Sequence, residues 1–270
     1  MYKLVSLDMD NTTLDNNHRI SAKTRETLEK AHKKGVRIIM NTGRTHNESE
    51  KYLEYLDFVD YSVTSNGSVV YERKSDRFYR VNELNMDYVR AAQKICWKYK
   101  DSVLFLVADE TRCYMEKDYA QSRGLELFND IIGIELEAVE DLAGHFEKKF
   151  AGKSVIMGDR SILEKIKDEL HEIFGEDIQL RYSLESALEI LNPEMDKSEG
   201  LKLIMELCGI KKEEVMAIGD GENDIGMLKQ AALGIAVANA CEPLKKIADY
   251  ITLSNVEDGV AHAIEKFVLA

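Results

Sequence analysis

Two acidic clusters decide what chemistry this chain can do. Asp8 and Asp10 stand in Asp8-Met-Asp10-Asn-Thr12, and Asp220 and Asp224 in Gly219-Asp220-Gly-Glu-Asn223-Asp224. Each cluster follows directly on a short apolar run, Lys3-Leu-Val-Ser-Leu7 in one case and Val215-Met-Ala-Ile218 in the other. The second run is broken by Gly-Asp-Gly and restarts through Ile225, Met227 and Leu228, the pattern of a buried strand, a turn and a helix. Carboxylates at the carboxyl ends of strands sit where open α/β sheets bind their ligands. Like charges at ~4 Å repel by about 4 kcal/mol per pair at an effective dielectric of ~20, so such a gathering needs compensation. Neither loop contains His or Cys, and a donor set made only of oxygens favours Mg2+ over Zn2+. Any one of these aspartates is as readily a helix cap or a turn residue. Four at two strand ends make a shared divalent cation the simpler explanation.

Further residues have the character of an anion site. Thr42 and Gly43 offer a hydroxyl and backbone N–H groups at a strand-to-helix transition, where helix N-termini favour negative charge. Taken alone, the pair is equally a chain turn. Lys197 is one lysine among many, and most lysines are solvated surface. Its placement argues otherwise, because it lies between the apolar run Leu188–Leu191 and the helix carrying Leu201 and Ile204.

The elements that must hold these residues can be followed in order. Strand Lys3–Leu7 leads through the acidic loop to a helix starting near Ser21, with Leu28 and Ala31 on its apolar stripe and Gly35 at its stop. Val36–Met40 is the next strand, ending at Asn41-Thr42-Gly43-Arg44. Thr45 with Glu48 fits a capping box for a helix running towards Leu56. Tyr61–Ser65 alternates as a strand, and Asn66-Gly67 signals a hairpin into Ser68–Tyr71. From about Asn82 to Ala187 the pattern changes: a helix Met86–Tyr99, paired strands at Val103–Val107 and Thr111–Met115, an acidic segment, a strand Lys153–Met157, a helix capped by Ser161, and a strand near Ile178–Tyr182. Strands outnumber crossover helices there, which predicts a separate α+β unit with an antiparallel sheet. Doubly wound alternation resumes with Ala187–Leu191 as a return strand. It continues with a helix from Ser198, strand Val215–Ile218, a helix from Glu222, strand Leu233–Val237, a helix after Pro243, strand Tyr250–Leu253 and a helix from Gly259.

Composition narrows the classes. With 270 residues, 44% of them hydrophobic, the chain can bury a substantial core in one or two domains. Lys and Arg number 36 against 49 Asp and Glu, and the formal charge of −13 argues against a nucleic-acid partner. No apolar run approaches the ~20 residues of a membrane span and the N-terminus lacks a secretory apolar stretch, so no membrane partner and a cytoplasmic location are expected. Cys96, Cys113, Cys208 and Cys241 are widely spaced, which predicts reduced thiols filling semi-buried positions rather than a disulfide or zinc framework.

In order and spacing, Asp8-Met-Asp10-Asn-Thr12-Thr-Leu14, Asn41-Thr42-Gly43-Arg44, Lys197 and Gly219-Asp220-Gly-Glu-Asn223-Asp224 resemble the four motifs of the haloacid dehalogenase superfamily of phosphohydrolases. The block inserted after the second motif resembles the cap of the Cof-type group, subclass IIB. The resemblance spans essentially the whole chain. It implies an α/β fold: a doubly wound, Rossmann-like parallel-sheet core over 1–81 and 188–270, with an inserted α+β cap domain over 82–187. It also implies roles. Asp8 is the nucleophile and Asp10 the general acid/base; Asp8, the backbone of Asp10 and Asp220 hold Mg2+, with Asp224 in support; Thr42, Gly43, Lys197 and Asn223 hold the phosphoryl group. Departures from the pattern are Asn11 in place of Gly, Thr13 in place of Leu, Gly226 where Pro is frequent, and Ser198 where many members have Gly after the lysine. Asn tolerates positive φ, so the first loop can still form.

The activity so implied is Mg2+-dependent hydrolysis of a small phosphorylated metabolite, a sugar phosphate or phosphorylated cofactor, through an aspartyl-phosphate. A phosphomutase of the same superfamily would use the same intermediate and return the group to an alcohol. A dehalogenase would leave Asp10 and Asp220 without a purpose. A non-catalytic ligand-binding module on this fold would not need Asp8, Asp10, Lys197 and Asp220 together. The oligomeric state, monomer or dimer, stays open at this stage.

Overall fold

The computed structural model describes residues 1–193 and 195–270. The first eighty residues run β1 (Leu4–Leu7), α1 (Ala22–Lys33), β2 (Arg37–Asn41), α2 (His46–Tyr55), β3 (Tyr61–Thr64), β4 (Val69–Glu72) and β5 (Arg77–Arg80). Then come α3 (Met86–Trp97), β6 (Leu104–Ala108), β7 (Cys113–Glu116), α4 (Arg123–Ile131), β8 (Leu136–Val139), α5 (Leu142–Phe146), β9 (Lys153–Met157), α6 (Arg160–Phe174), β10 (Gln179–Leu184) and β11 (Ala187–Leu191). The chain ends with α7 (Lys197–Cys208), β12 (Val215–Gly219), α8 (Ile225–Gln230), β13 (Leu233–Ala236), α9 (Glu242–Ile247), β14 (Tyr250–Ile251) and α10 (Gly259–Ile264). These elements form two compact units, one of Met1–Arg44, Ser49–Val81 and Asp196–Ala270, the other of Thr45–Glu48 and Asn82–Met195.

The first unit is built on an eight-stranded sheet in the order β14-β13-β12-β1-β2-β3-β4-β5. Pairing is parallel from β14 to β3, and β4 and β5 add an antiparallel edge. β1, β3 and β12 are buried along their whole length, as strands covered on both faces must be, and β1 and β12 accordingly read as largely apolar runs, while β3 alternates Tyr61 and Val63 with the buried hydroxyls of Ser62 and Thr64. From β1 the chain winds outward through β2 and β3 on one side, and later from β12 to β14 on the other. The switch point of this doubly wound α/β sheet therefore lies at β1, flanked by β12 and β2.

The second unit has a six-stranded sheet in the order β10-β11-β9-β6-β7-β8. Every pairing is antiparallel except β7 with β8, whose parallel register is made possible by the crossover helix α4. Its apolar core gathers Val89, Ile95, Phe105, Ile156, Leu163 and Leu188, all but fully buried. Asn192 ties together the two ends of this stretch. Its Nδ2 donates to Asn82 Oδ1 at 2.8 Å and to Glu83 O at 2.7 Å, while its Oδ1 accepts from Asn85 N at 3.0 Å.

One expectation is corrected here. Ala187–Leu191 is not a return strand of the parallel sheet, and the stretch assigned to the core from residue 188 begins too early. β11 pairs antiparallel with both β9 and β10 in the second sheet. A strand buried on both faces has the same apolar pattern in either sheet, so composition cannot assign it. What distinguishes β11 is Glu189, whose carboxylate is buried against Lys153 Nζ of β9 at 2.8 Å and Arg181 Nη2 of β10 at 2.9 Å. The helix expected at Ser161 begins instead at Arg160, with Asp159 in the capping position. All four thiols are free, Cys96 and Cys113 buried and Cys208 and Cys241 partly so. Among the described residues no helix is long and apolar enough to cross a membrane.

Candidate active site

The register of the parallel sheet brings the motif residues to one level. Leu7 stands opposite Ile218 of β12 on one side and Met40 of β2 on the other. Asp8, Gly219-Asp220 and Asn41-Thr42 therefore leave the sheet together at its carboxyl end. The loop after β1 is shaped by Asn11, in the left-handed region at φ 57°, where Asn is among the few side chains easily accommodated. Asn239 Nδ2 donates to the Asn11 carbonyl at 2.8 Å, and Thr13 Oγ1 to the Asp8 carbonyl at 2.6 Å. The substitutions of Asn11 and Thr13 thus leave the loop formed and tied down.

Lys197 lies at the centre of the charges. It is the first residue of α7, 1% exposed, with Nζ 2.5 Å from Asp8 Oδ1 and 2.7 Å from Asp224 Oδ1. Asp196 caps the helix by accepting from Ser198 N at 2.6 Å, and Asn41 Nδ2 holds the Lys197 carbonyl at 2.9 Å. Close approach of α7 to β3 depends on Gly200, where a Cβ would stand 2.3 Å from Val63 Cγ1. Asp224 is fully buried, and its second oxygen accepts the amides of Asp220 and Gly221, each at 2.9 Å. Thr12 Oγ1 donates to Asp220 Oδ1 at 3.2 Å.

One carboxylate oxygen from each of Asp8, Asp220 and Asp224 lies within 4.8 Å of the others. Three carboxylates against one ammonium leave two negative charges uncompensated, the charge of one divalent cation. Asp8 Oδ2 is buried without a hydrogen-bond partner, a costly condition for an anionic oxygen that a coordinated cation would relieve. Burial pushes the Asp8 carboxyl well above its ordinary pKa; Lys197 opposes the rise, and the Asp224 and Asp220 charges reinforce it. Burial and then Asp224 also raise Asp220. For Lys197 burial works downward, but Asp224 and Asp8 outweigh it and hold the ammonium firmly protonated. An all-oxygen donor set with excess negative charge and an unsatisfied carboxylate oxygen fits a hard divalent cation such as Mg2+.

Asp10 departs from the expected cluster of four. Its carboxylate is paired with Arg44, whose Nε lies 2.8 Å from Oδ2 and Nη2 2.6 Å from Oδ1. Burial alone would raise the Asp10 pKa, but the Arg44 hydrogen bonds and charge prevail and bring it below the ordinary carboxylate value. Thr42 is buried and its hydroxyl accepts the Arg44 amide at 3.1 Å, while its own amide is spent on Val63 O at 2.8 Å. Gly43 faces Asn66, whose Oδ1 would stand 2.8 Å from any Cβ there, and Asn223 Nδ2 reaches the same Oδ1 at 3.4 Å.

Arg44, Asn66 and Thr12 were not assigned roles from the sequence. Asn66-Gly67 carries the signal of a hairpin turn, and a turn does join β3 to β4 there. Yet Asn66 is left-handed at φ 55°, only 1% exposed, and in contact with the motif residues. Gly67, at φ 102°, lies so close to Asp196 that a Cβ would be 2.2 Å from its carbonyl oxygen. Burial of an Asn-Gly pair that would otherwise be a solvated turn is the signal that distinguishes it, and sequence does not display burial.

Comparison with known proteins places this geometry in context. A family model described as haloacid dehalogenase-like hydrolase matches residues 5–264. The 5-amino-6-(5-phospho-D-ribitylamino)uracil phosphatase YcsE of Bacillus subtilis is 30% identical over 99% of this chain and 96% of its own. Among solved structures, a haloacid dehalogenase-like hydrolase from Bacteroides thetaiotaomicron superposes with a TM-score of 0.87 at 30% identity, covering 98% of this chain and 99% of that one. The subclass IIB sugar phosphatase BT4131 gives 0.80 at 25% identity over 99% and 100%.

Proposed function

The chain belongs to the haloacid dehalogenase-like hydrolases, Cof-type with a subclass IIB cap, and is a phosphoric monoester hydrolase; from that premise we propose that it hydrolyses a small phosphorylated metabolite through an aspartyl-phosphate on Asp8, with Mg2+ as cofactor. The observation that carries this reading is the buried Asp8 carboxylate at the end of β1, with one oxygen on Lys197 and the other unpartnered beside Asp220 and Asp224. YcsE and BT4131, by their names, act on a phosphoribityl compound and on sugar phosphates, which supports a leaving group that is an alkyl alcohol.

The residues divide the work. Asp8, Asp220 and the Asp10 backbone would hold Mg2+, with Asp224 behind them, and the ion when bound supplies positive charge at the phosphoryl oxygens. Lys197 neutralises further charge there, so that an anionic carboxylate can approach an anionic ester. Thr42, Gly43 and Asn223 position the phosphoryl group. Asp8 attacks phosphorus as the ester oxygen departs, and Asp10, which must first take up a proton against the pull of Arg44, gives that oxygen its proton. Asp10, now a base, takes a proton from water as the water attacks the aspartyl-phosphate, releasing phosphate and freeing Asp8.

Phosphate release from a panel of phosphorylated metabolites, with Mg2+ and with excess chelator, tests this reading. We expect turnover of alkyl phosphates that requires Mg2+ and needs no bisphosphate activator. Ca2+ should inhibit, since it takes more oxygen ligands at longer distances and would engage both Asp8 oxygens. Full turnover in chelator would remove the metal from the account; no release from any monoester would remove the activity.

A further inference from the structure

An arginine beside a phosphate-binding loop is ordinarily read as a phosphate ligand. Here its geometry points elsewhere. Arg44 spends Nε and Nη2 on the two oxygens of Asp10, at 2.8 and 2.6 Å, a planar fork matched to a carboxylate. The arginine is itself well anchored. Its amide is bound to Thr42 Oγ1, its carbonyl accepts from Ser65 N at 2.7 Å, and its guanidinium lies over the Tyr52 ring, 5.4 Å from the centroid. Asp10 is not anchored in this way. It sits in the irregular loop before the left-handed Asn11, and 38% of its side chain is exposed. Besides Arg44, His18 also stands beside it, with Nδ1 3.6 Å from Oδ1, and is itself 66% exposed.

We propose that Arg44 is the positioning residue of the acid/base: it acts on the reaction through Asp10, fixing both carboxylate oxygens with a two-point clamp, and not by binding the phosphoryl group. The inference rests on the reading of Asp10 as acid/base given above. A general acid is effective only within hydrogen-bond reach of the atom it serves. A half-exposed Asp in a loop would otherwise spread over rotamers that point into water. One fork on both oxygens removes that freedom, which a single-point contact from lysine cannot do.

The two roles separate by leaving group. An alkyl phosphate needs the proton from Asp10, whereas 4-nitrophenyl phosphate departs without one and needs Asp10 only as base for the second step. Loss of the Arg44 charge would by itself favour a protonated Asp10, so a fall in rate reports lost position: Arg44→Ala should lower kcat for an alkyl phosphate such as glycerol phosphate by about 10²-fold, the lower range for general acid catalysis, with KM little changed. With 4-nitrophenyl phosphate it should give a rapid burst of nitrophenol, one per site, followed by slow turnover as the aspartyl-phosphate accumulates. Arg44→Lys, keeping the charge without the fork, should fall nearer to Arg44→Ala than to wild type. In Asp10→Asn, adding Arg44→Ala should cost nothing further, because residues that act as a unit are not additive. The proposal is overturned if Arg44→Ala raises KM for both substrates at unchanged kcat, if the double variant loses the full Arg44→Ala factor beyond Asp10→Asn, or if Arg44→Lys restores wild-type rates. Wild-type enzyme inert towards every monoester would instead defeat the phosphatase reading, so the two failures are distinguishable.

Discussion

At the scale of single residues, the first and fourth motifs were legible because carboxylates at the ends of apolar runs are conspicuous. Asp8, Asp220 and Asp224 come together at the carboxyl end of the sheet, and Lys197, weak on its own, stands between two of them. The counter-ion of Asp10 was not legible, since nothing in a sequence says which arginine a loop aspartate will meet. Gly226, where the family often has Pro, finds its reason in Asp196: a Cβ at 226 would lie 2.0 Å from Asp196 Oδ2. Helix propensity alone predicts that Gly226→Ala in α8 stabilises the protein by about 1 kcal/mol. The contact predicts the opposite, because Asp196 caps α7 one residue before Lys197, and displacing a capping side chain costs about 1 kcal/mol. We expect Gly226→Ala to lower both the melting temperature and kcat/KM, measured by thermal unfolding and steady-state assay. A rise in stability at unchanged activity would show that the Asp196 carboxylate moves aside freely.

Among elements, periodicity and capping placed α1, α2, α3, β9 and β12 within a residue or two, because each combines a continuous pattern with clear stops. It missed α4, β8 and α5, which lie in an acidic stretch whose strand β8 is largely exposed and so carries little apolar signal. β11 was recognised as a strand and given to the wrong sheet. The Glu189 ion pairs that mark its true place make a prediction. Burial would raise the Glu189 pKa, but Lys153 and Arg181 outweigh it and hold the carboxyl at about 2. A carboxylate depressed in the folded state adds stability that is full above its unfolded pKa of ~4.3 and is lost as pH falls towards the folded value. Glu189→Gln should therefore destabilise the second unit by about 3 kcal/mol at pH 7, since it leaves Lys153 buried without its main partner. The difference from wild type should shrink below pH ~4.3 and disappear only once the pH falls below the folded value of about 2. Trp97, the single tryptophan, lies in α3 and reports unfolding of this unit in urea. A pH-independent difference would show that the pair contributes through packing and not charge.

For the molecule as a whole, every residue given a chemical role lies outside Asn82–Met195. The corrected boundary changes how that division is tested. Replacing 82–187 with a Gly/Ser linker would leave β11 without β9 and β10, an apolar strand with open edges and a tendency to aggregate. Replacing Asn82–Met195 removes the second sheet entire. That shorter protein should be soluble and still hydrolyse an activated aryl phosphate slowly, while its preference among metabolite phosphates collapses. An unchanged order of kcat/KM across substrates would place specificity in the parallel-sheet unit instead. The claim on which all of this depends is that Asp8 becomes phosphorylated, and acid quenching during turnover of a radiolabelled phosphate monoester, followed by peptide mapping, tests it most directly. The label should appear on the peptide carrying Asp8, and Asp8→Asn should carry none and turn over at well under a tenth of the wild-type rate, since loss of a nucleophile costs several orders of magnitude. Label on another residue, or an active Asp8→Asn enzyme, would contradict the account.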